Sequence, residues 1–283
     1  MKKLIVILGA LVGLCTSCGV TKQVDAVSKV DYSRNAVLYE VNVRQYTPEG
    51  TFNAFAEKLP YLKELGVDIV WLMPIHPISE KNRKGELGSY YAVQDYKAVN
   101  PEFGNMDDFK ALVNKAHELG MRVIIDWVAN HTGCDHAWVT DHPSWYDYDE
   151  YGQLVSPMDW TDTYSLNYDS KEMRAAMIDA MKFWVAEIGI DGYRCDVASM
   201  VPTDFWEEVR KELDQIKPVF MLAESSESDL TARAFDMVYN WPAMFVFEDV
   251  VKGKKNASDL AALISSAGVQ EQLPCINRAN ESA

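Results

Sequence analysis

The sequence predicts an α/β protein built on a parallel sheet, and three observations carry that expectation. From Ala36 onward, short β-rich runs alternate with longer helical patterns, and strand–helix–strand repeats imply parallel strands joined by crossover helices. The strand candidates are nearly continuous apolar runs, as expected of strands covered on both faces. With 48% hydrophobic residues in 283, the chain suits one large core, since a single α/β barrel uses about 250 residues. Periodicity alone does not choose between an open doubly wound sheet and a closed barrel. No Gly-rich phosphate loop follows any strand, which disfavours a nucleotide-binding sheet.

Taken in order, residues 36–43 form the first strand candidate and 52–65 a helical stretch. The second strand, 67–72, precedes a helix at 107–119 that opens with acidic residues and stops at Gly120. Residues 122–126 form the third strand. An aromatic-rich insertion at 132–168 separates it from a helix near 171–188, which stops at Gly189. The fourth strand is 192–196, followed by a helix at 204–213. Residues 219–224 and 236–240 are the fifth and sixth strands, and 241–252 and 257–266 can be helical.

A net charge of −15 repels polyanions, so nucleic acid is not an expected partner, whereas a neutral substrate is indifferent to the field. Met1, Lys2 and Lys3 precede an apolar run from Leu4 to Leu14 that is too short to span a bilayer, the pattern of a secretory signal. Leu14-Cys15-Thr16-Ser17-Cys18 resembles the end of a bacterial lipoprotein signal, with Cys18 as the lipid-bearing residue. The expected organisation is a signal at 1–18, a polar tether at 19–35 and a catalytic domain at 36–283. The expected location is the bacterial cell envelope, lipid-anchored or periplasmic. Cys134, Cys195 and Cys275 are then an odd set without metal-ligand spacing, and five histidines offer little for a transition metal.

Three strand candidates end in a carboxylate: Asp126, Asp196 and Glu224. In a (β/α) barrel the C-terminal strand ends form the floor of the active site. Arg194 and Asp196 are two apart on one strand, so their side chains leave on the same face. A guanidinium beside a carboxylate favours the ionised form that a nucleophile needs. A structural ion pair reads equally well from these residues alone.

Asp126-Trp127-Val128-Ala129-Asn130-His131, Gly192-Tyr193-Arg194-Cys195-Asp196-Val197-Ala198 and Leu222-Ala223-Glu224 decide the matter. In order and in strand position they resemble the first three signature regions of the α-amylase family, glycoside hydrolase family 13. Tyr91, within Ser89-Tyr90-Tyr91-Ala92-Val93-Gln94-Asp95-Tyr96, resembles the family's sugar-stacking tyrosine, and Leu166-Asn167 a further short signature. The resemblance covers residues 36–252. It implies a (β/α)8 TIM barrel with a small insertion after the third strand, and a retaining hydrolase of α-1,4-glucans such as starch or maltodextrin. By the same resemblance Asp196 is the nucleophile, Glu224 the general acid and base, and Arg194 the residue that orients Asp196. Tyr91, His131 and Asn167 hold substrate, and Asp126 supports Arg194. No cofactor is required, although Asn130 matches a calcium-binding position.

The pattern breaks in two places. No counterpart of the family's fourth signature, Asn-His-Asp, follows Glu224, and 268–283 has no strand-like pattern, so the last two barrel strands are missing. The expectation is a truncated or frameshifted copy with impaired activity, the alternative being a short protein completed by a partner chain. Ala198-Ser199-Met200 stands where many relatives carry Lys-His on the leaving side. Within the family a transglycosylase is the runner-up, and outside it a non-catalytic glucan-binding lipoprotein. The insertion holds eight aromatic residues between 136 and 168, about twice the density of the whole chain at 11%. They read equally as a glucan-binding wall or as subdomain packing.

Overall fold

The computed structural model describes residues 30–266. A 3-10 turn at Asp31–Asn35 leads into strand β1 (Leu38–Val41) and helices α1 (Val43–Tyr46), α2 (Phe52–Ala56) and α3 (Leu59–Glu64). Next come β2 (Ile69–Leu72), α4 (Met106–Glu118) and β3 (Arg122–Trp127). The insertion contributes β4 (His131–Gly133), α5 (Ala137–Asp141) and β5 (Thr163–Ser165). Helix α6 (Lys171–Phe183) runs into a π turn (Trp184–Ile188) before β6 (Gly192–Cys195). Helix α7 (Thr203–Asp214), β7 (Phe220–Ala223), β8 (Met237–Val238), α8 (Trp241–Val251) and α9 (Ala257–Ser266) complete the order.

The main sheet runs β1-β2-β3-β6-β7-β8, with every neighbouring pair parallel. Among the described residues it is a curled half-barrel of six strands. Alternation along each strand divides the core in two. Ile69, Trp71, Ile124, Phe220, Leu222 and Met237 pack inside the curl, while Val70, Leu72, Val123, Ile125 and Met221 meet the outer helices. Both faces are apolar, which is why the strands read as unbroken runs.

Local signals explain the element ends. Asn105 and Asp108 form a reciprocal capping box at the start of α4. Ser170 accepts from the Met173 N–H to open α6, and Gly189, left-handed at φ 85°, closes the turn after it. The helical stretch expected at 52–65 consists of two helices. The chain turns at Glu57 and Lys58, and Pro60 sits in the first turn of α3, where its missing N–H has no helical partner to lose.

The expected polar tether is corrected at its end. Val30 and Ser33 are buried, Tyr32 packs on Phe220, and the Val30 N–H donates to Asp236 Oδ1. Residues 30–35 therefore cover the N-terminal end of the inner core. The expected signal, Cys18 and Cys275 lie outside the described residues. Cys134 and Cys195 are buried free thiols. No described helix is long and apolar enough to cross a membrane.

Candidate active site

The parallel register assembles the site. Asp126 on β3 stands opposite Arg194 on β6, so both side chains enter the curl at one level. Asp196 follows two residues later on the same face, its N–H donating to the Trp127 carbonyl. Glu224 follows the end of β7, where its N–H donates to the Cys195 carbonyl.

Arg194 is fully buried and holds all three carboxylates. Its Nη1 lies 2.8 Å from Asp126 Oδ1 and 2.9 Å from Asp196 Oδ1, and its Nη2 lies 2.7 Å from Glu224 Oε1. Its Nε donates to the Tyr239 hydroxyl, and the guanidinium lies over the Trp71 ring. Asp126 also accepts from Trp71 Nε1 and the Tyr91 hydroxyl, each at 3.3 Å. It is completely buried behind the others.

The electrostatics differ from the simple pairing read in the sequence. Burial drives the Asp196 carboxyl well above the usual carboxylate range. Arg194 opposes this, while the charges of Asp126 and Glu224 and a hydrogen bond with Glu224 reinforce it. Burial likewise raises Asp126 against the pull of Arg194. One cation among three close carboxyls leaves a surplus of negative charge, so the cluster favours keeping a proton. Arg194 acts in the expected direction and is outweighed. Burial lowers His131 to about 4, so its ring is neutral near pH 7.

Glu224 is also held from the other side, with the Val197 N–H donating to its Oε2 at 2.9 Å. Val197 is left-handed, at φ 39° and ψ 46°. That conformation is strained for a β-branched residue, and such strain clusters at functional sites.

Asp196 and Glu224 open onto a cavity of about 700 Å³, with Tyr91 and His131 in its wall. Four of the residues expected from the sequence thus meet at one surface, with Arg194 and Asp126 directly behind it. Asn167 is not brought there. It lies in the turn before α6, where its Oδ1 accepts from the Asp169 N–H and its own N–H donates to the Trp145 carbonyl. Sequence reasoning missed Tyr39, Glu40, Gln45, Tyr46, Lys84 and Asp162, which also line the cavity. They come from β1, α1, the loop after β2 and the insertion, and no local motif marks them.

At the expected calcium position, Asn130 Nδ2 faces His131 Nδ1 at 3.3 Å, and calcium would take six to eight oxygens. No group of three His, Cys, Asp or Glu that could hold a metal exists among the described residues.

Comparison with known proteins agrees with the geometry. The family model described as "Alpha amylase, catalytic domain" matches residues 25–165 and 142–272. The chain belongs to the alpha-amylase family. It is 31% identical over 224 residues to alpha-amylase 3 of Dictyoglomus thermophilum, covering 68% of this chain and 43% of that protein. It is 36% identical over 204 residues to trehalose synthase of Pimelobacter sp., covering 59% and 34% respectively. The crystal structure of an alpha-amylase from Lactobacillus plantarum superposes with a TM-score of 0.79 at 40% identity, covering 84% of this chain and 60% of that one. The chain therefore spans less than half the length of these two curated relatives.

Proposed function

We propose that this site cleaves α-glucans with retention of anomeric configuration, through a glycosyl-enzyme intermediate. The observation that carries the proposal is the meeting of Asp196 and Glu224 on one guanidinium, at 2.9 and 2.7 Å, on the floor of an open cavity. That closeness leaves no place for a water between nucleophile and sugar. Retaining pairs lie about 5–5.5 Å apart, and inverting pairs about 6.5–9.5 Å.

In this reading Asp196 attacks the anomeric carbon while Glu224 protonates the leaving oxygen. Water, deprotonated by the now-basic Glu224, then frees the sugar. The proton retained by the cluster must sit on Glu224 at the moment of attack. Positive charge developing on the sugar beside Asp196 favours that distribution, because it stabilises the ionised nucleophile. Tyr91 and His131 contact the bound ring, and the neutral imidazole adds no competing cation.

Proton NMR of the first product from maltoheptaose tests this reading. The α-anomer is expected, the β-anomer would refute it, and Asp196→Asn should abolish release. Transfer to an acceptor sugar is the second reading, supported by the likeness to a protein named trehalose synthase. Transfer products dominating at high maltose would favour it.

The proposal extends to the amino terminus, with export to the bacterial envelope and lipid attachment at Cys18. The basic start, the apolar run and the Cys15–Cys18 segment support it. Incorporation of labelled palmitate, lost in Cys18→Ser, is the expected result. Unlabelled wild-type protein would reject it.

A further inference from the structure

Seven of the eight insertion aromatics, Trp138, Trp145, Tyr146, Tyr148, Tyr151, Tyr164 and Tyr168, are absent from the cavity wall, and several of them carry the packing. Tyr146 is buried with its hydroxyl on Thr132, Tyr168 donates to the Ala129 carbonyl, and Trp138 meets Trp145 edge to face. Trp160 is the one that lines the cavity.

Its backbone is pinned from several directions. The Trp160 N–H donates to the Pro157 carbonyl, and both the N–H and the hydroxyl of Thr163 donate to the Trp160 carbonyl. The neighbours on either side are held by the loop after β2. Lys84 Nζ donates to the Asp159 carbonyl at 2.7 Å, and Asn82 Nδ2 donates to the Thr161 carbonyl. Lys84 also lies 3.7 Å from the buried Asp162 carboxylate. Two loops far apart in sequence thus fix the backbone that carries one half-buried indole, whose ring packs beside His131 with centroids 5.3 Å apart. An aromatic face held in place at a wet cavity loses little side-chain freedom when a ligand covers it. The apolar face of a pyranose is the ligand that an α-glucan offers.

We infer that Trp160 is a specificity-determining platform, which stacks on a sugar ring adjoining the one His131 contacts and makes the site prefer oligosaccharides over disaccharides. This rests on the proposed α-glucan reading of the cavity. The loop after β2 positions the platform through Lys84, so Lys84→Met should weaken oligosaccharide binding in the same direction and by less.

Titration calorimetry of the full chain with maltoheptaose and with maltose tests the inference, using Asp196→Asn as background to prevent turnover. The ratio of the two affinities should fall by about tenfold in Trp160→Ala, the size of a good aromatic contact. Trp160→Phe should restore most of it. Ligand-induced change in tryptophan fluorescence should be smaller in Trp160→Phe although that variant still binds. An unchanged ratio in a Trp160→Ala protein that melts like its parent would overturn the platform and leave the glucan reading standing. Failure of the parent to bind either sugar would instead overturn the glucan reading, and the platform with it.

Discussion

Helices α7 and α8 have nearly the same length and opposite fates. Over twelve residues, α7 buries Phe205, Trp206, Val209, Leu213 and the stem of Arg210, whose guanidinium pairs with Asp236 at 2.9 Å. Over eleven residues, α8 buries only Ala243, leaving Phe245, Phe247 and Val251 exposed at 55%, 43% and 87%. The α8 sequence is the more apolar of the two, so composition did not decide. Helix α7 joins β6 to β7, strands paired on both sides, and has a sheet face beneath it. Helix α8 follows β8, a two-residue strand paired only with β7 among the described residues. An apolar helix is buried when strands on both sides give it a surface. The site profits from the same rule, because Asp126, Arg194, Asp196 and Glu224 all rise from strands paired on both sides.

The largest predicted effect lies in the centre. Gly192, at φ 148°, has the Phe220 carbonyl oxygen only 1.9 Å from where a Cβ would sit. Gly192→Ala should give no cooperatively unfolding protein, as read by soluble yield and circular dichroism. A native-like melt would show that β6 and β7 can part, which would weaken the contrast with the flank. Arg194→Ala comes next. It strips the counter-charge from buried carboxyls and should cost about 3–5 kcal/mol of stability in denaturant titration. A smaller loss would mean that the cluster sheds its charge by protonation.

The helix comparison itself is sharpened by a matched pair. Phe205→Ala in α7 should cost about 3–5 kcal/mol. Next in size is a pH effect at the insertion. Burial lowers the His136 ring to about 4. Between its unfolded value near 6.5 and about 4, the unfolded chain takes up a proton that the native chain refuses. Stability is therefore lost as pH falls through that window, by roughly 1.4 kcal/mol per pH unit. The raised carboxyls of Asp126, Asp196 and Asp236 act in the opposite sense, so the test is a difference. His136→Asn, which keeps a helix-capping side chain, should flatten the stability–pH slope by about that amount. An identical slope would place the imidazole in contact with solvent. The smallest effect belongs to Phe245→Ala in α8, which should change stability by less than about 0.5 kcal/mol. A loss like that of Phe205 would show that α8 is covered in solution.

Much of the scaffold was legible because its signals are local. The apolar runs at 122–126, 192–196 and 219–224 became β3, β6 and β7 to within two residues. The helices expected at 107–119, 204–213 and 257–266 also hold, marked by caps and by periodicity. Within the helical stretch expected at 52–65 the break was not legible, because a two-residue turn before Pro60 leaves helical periodicity intact on both sides. Asn167 matched a short signature, yet its side chain serves a turn. A two-residue motif carries no information on which way the chain bends afterwards.

The sequence by itself determined which groups stand at the strand ends, since an acid closing an apolar run is visible in one dimension. It also determined that Arg194 and Asp196 share a face, because strand periodicity is two. Only the tertiary structure decided that Asp126 lies level with Arg194, that Glu224 meets the same guanidinium, and that Trp160 is the insertion aromatic on the cavity. Those facts depend on inter-strand register and on loop contacts across 75 residues or more, as between Lys84 and Asp159. The protonation of the cluster was decided there too. Charge–charge energies depend on separation and burial, and neither is written along the chain.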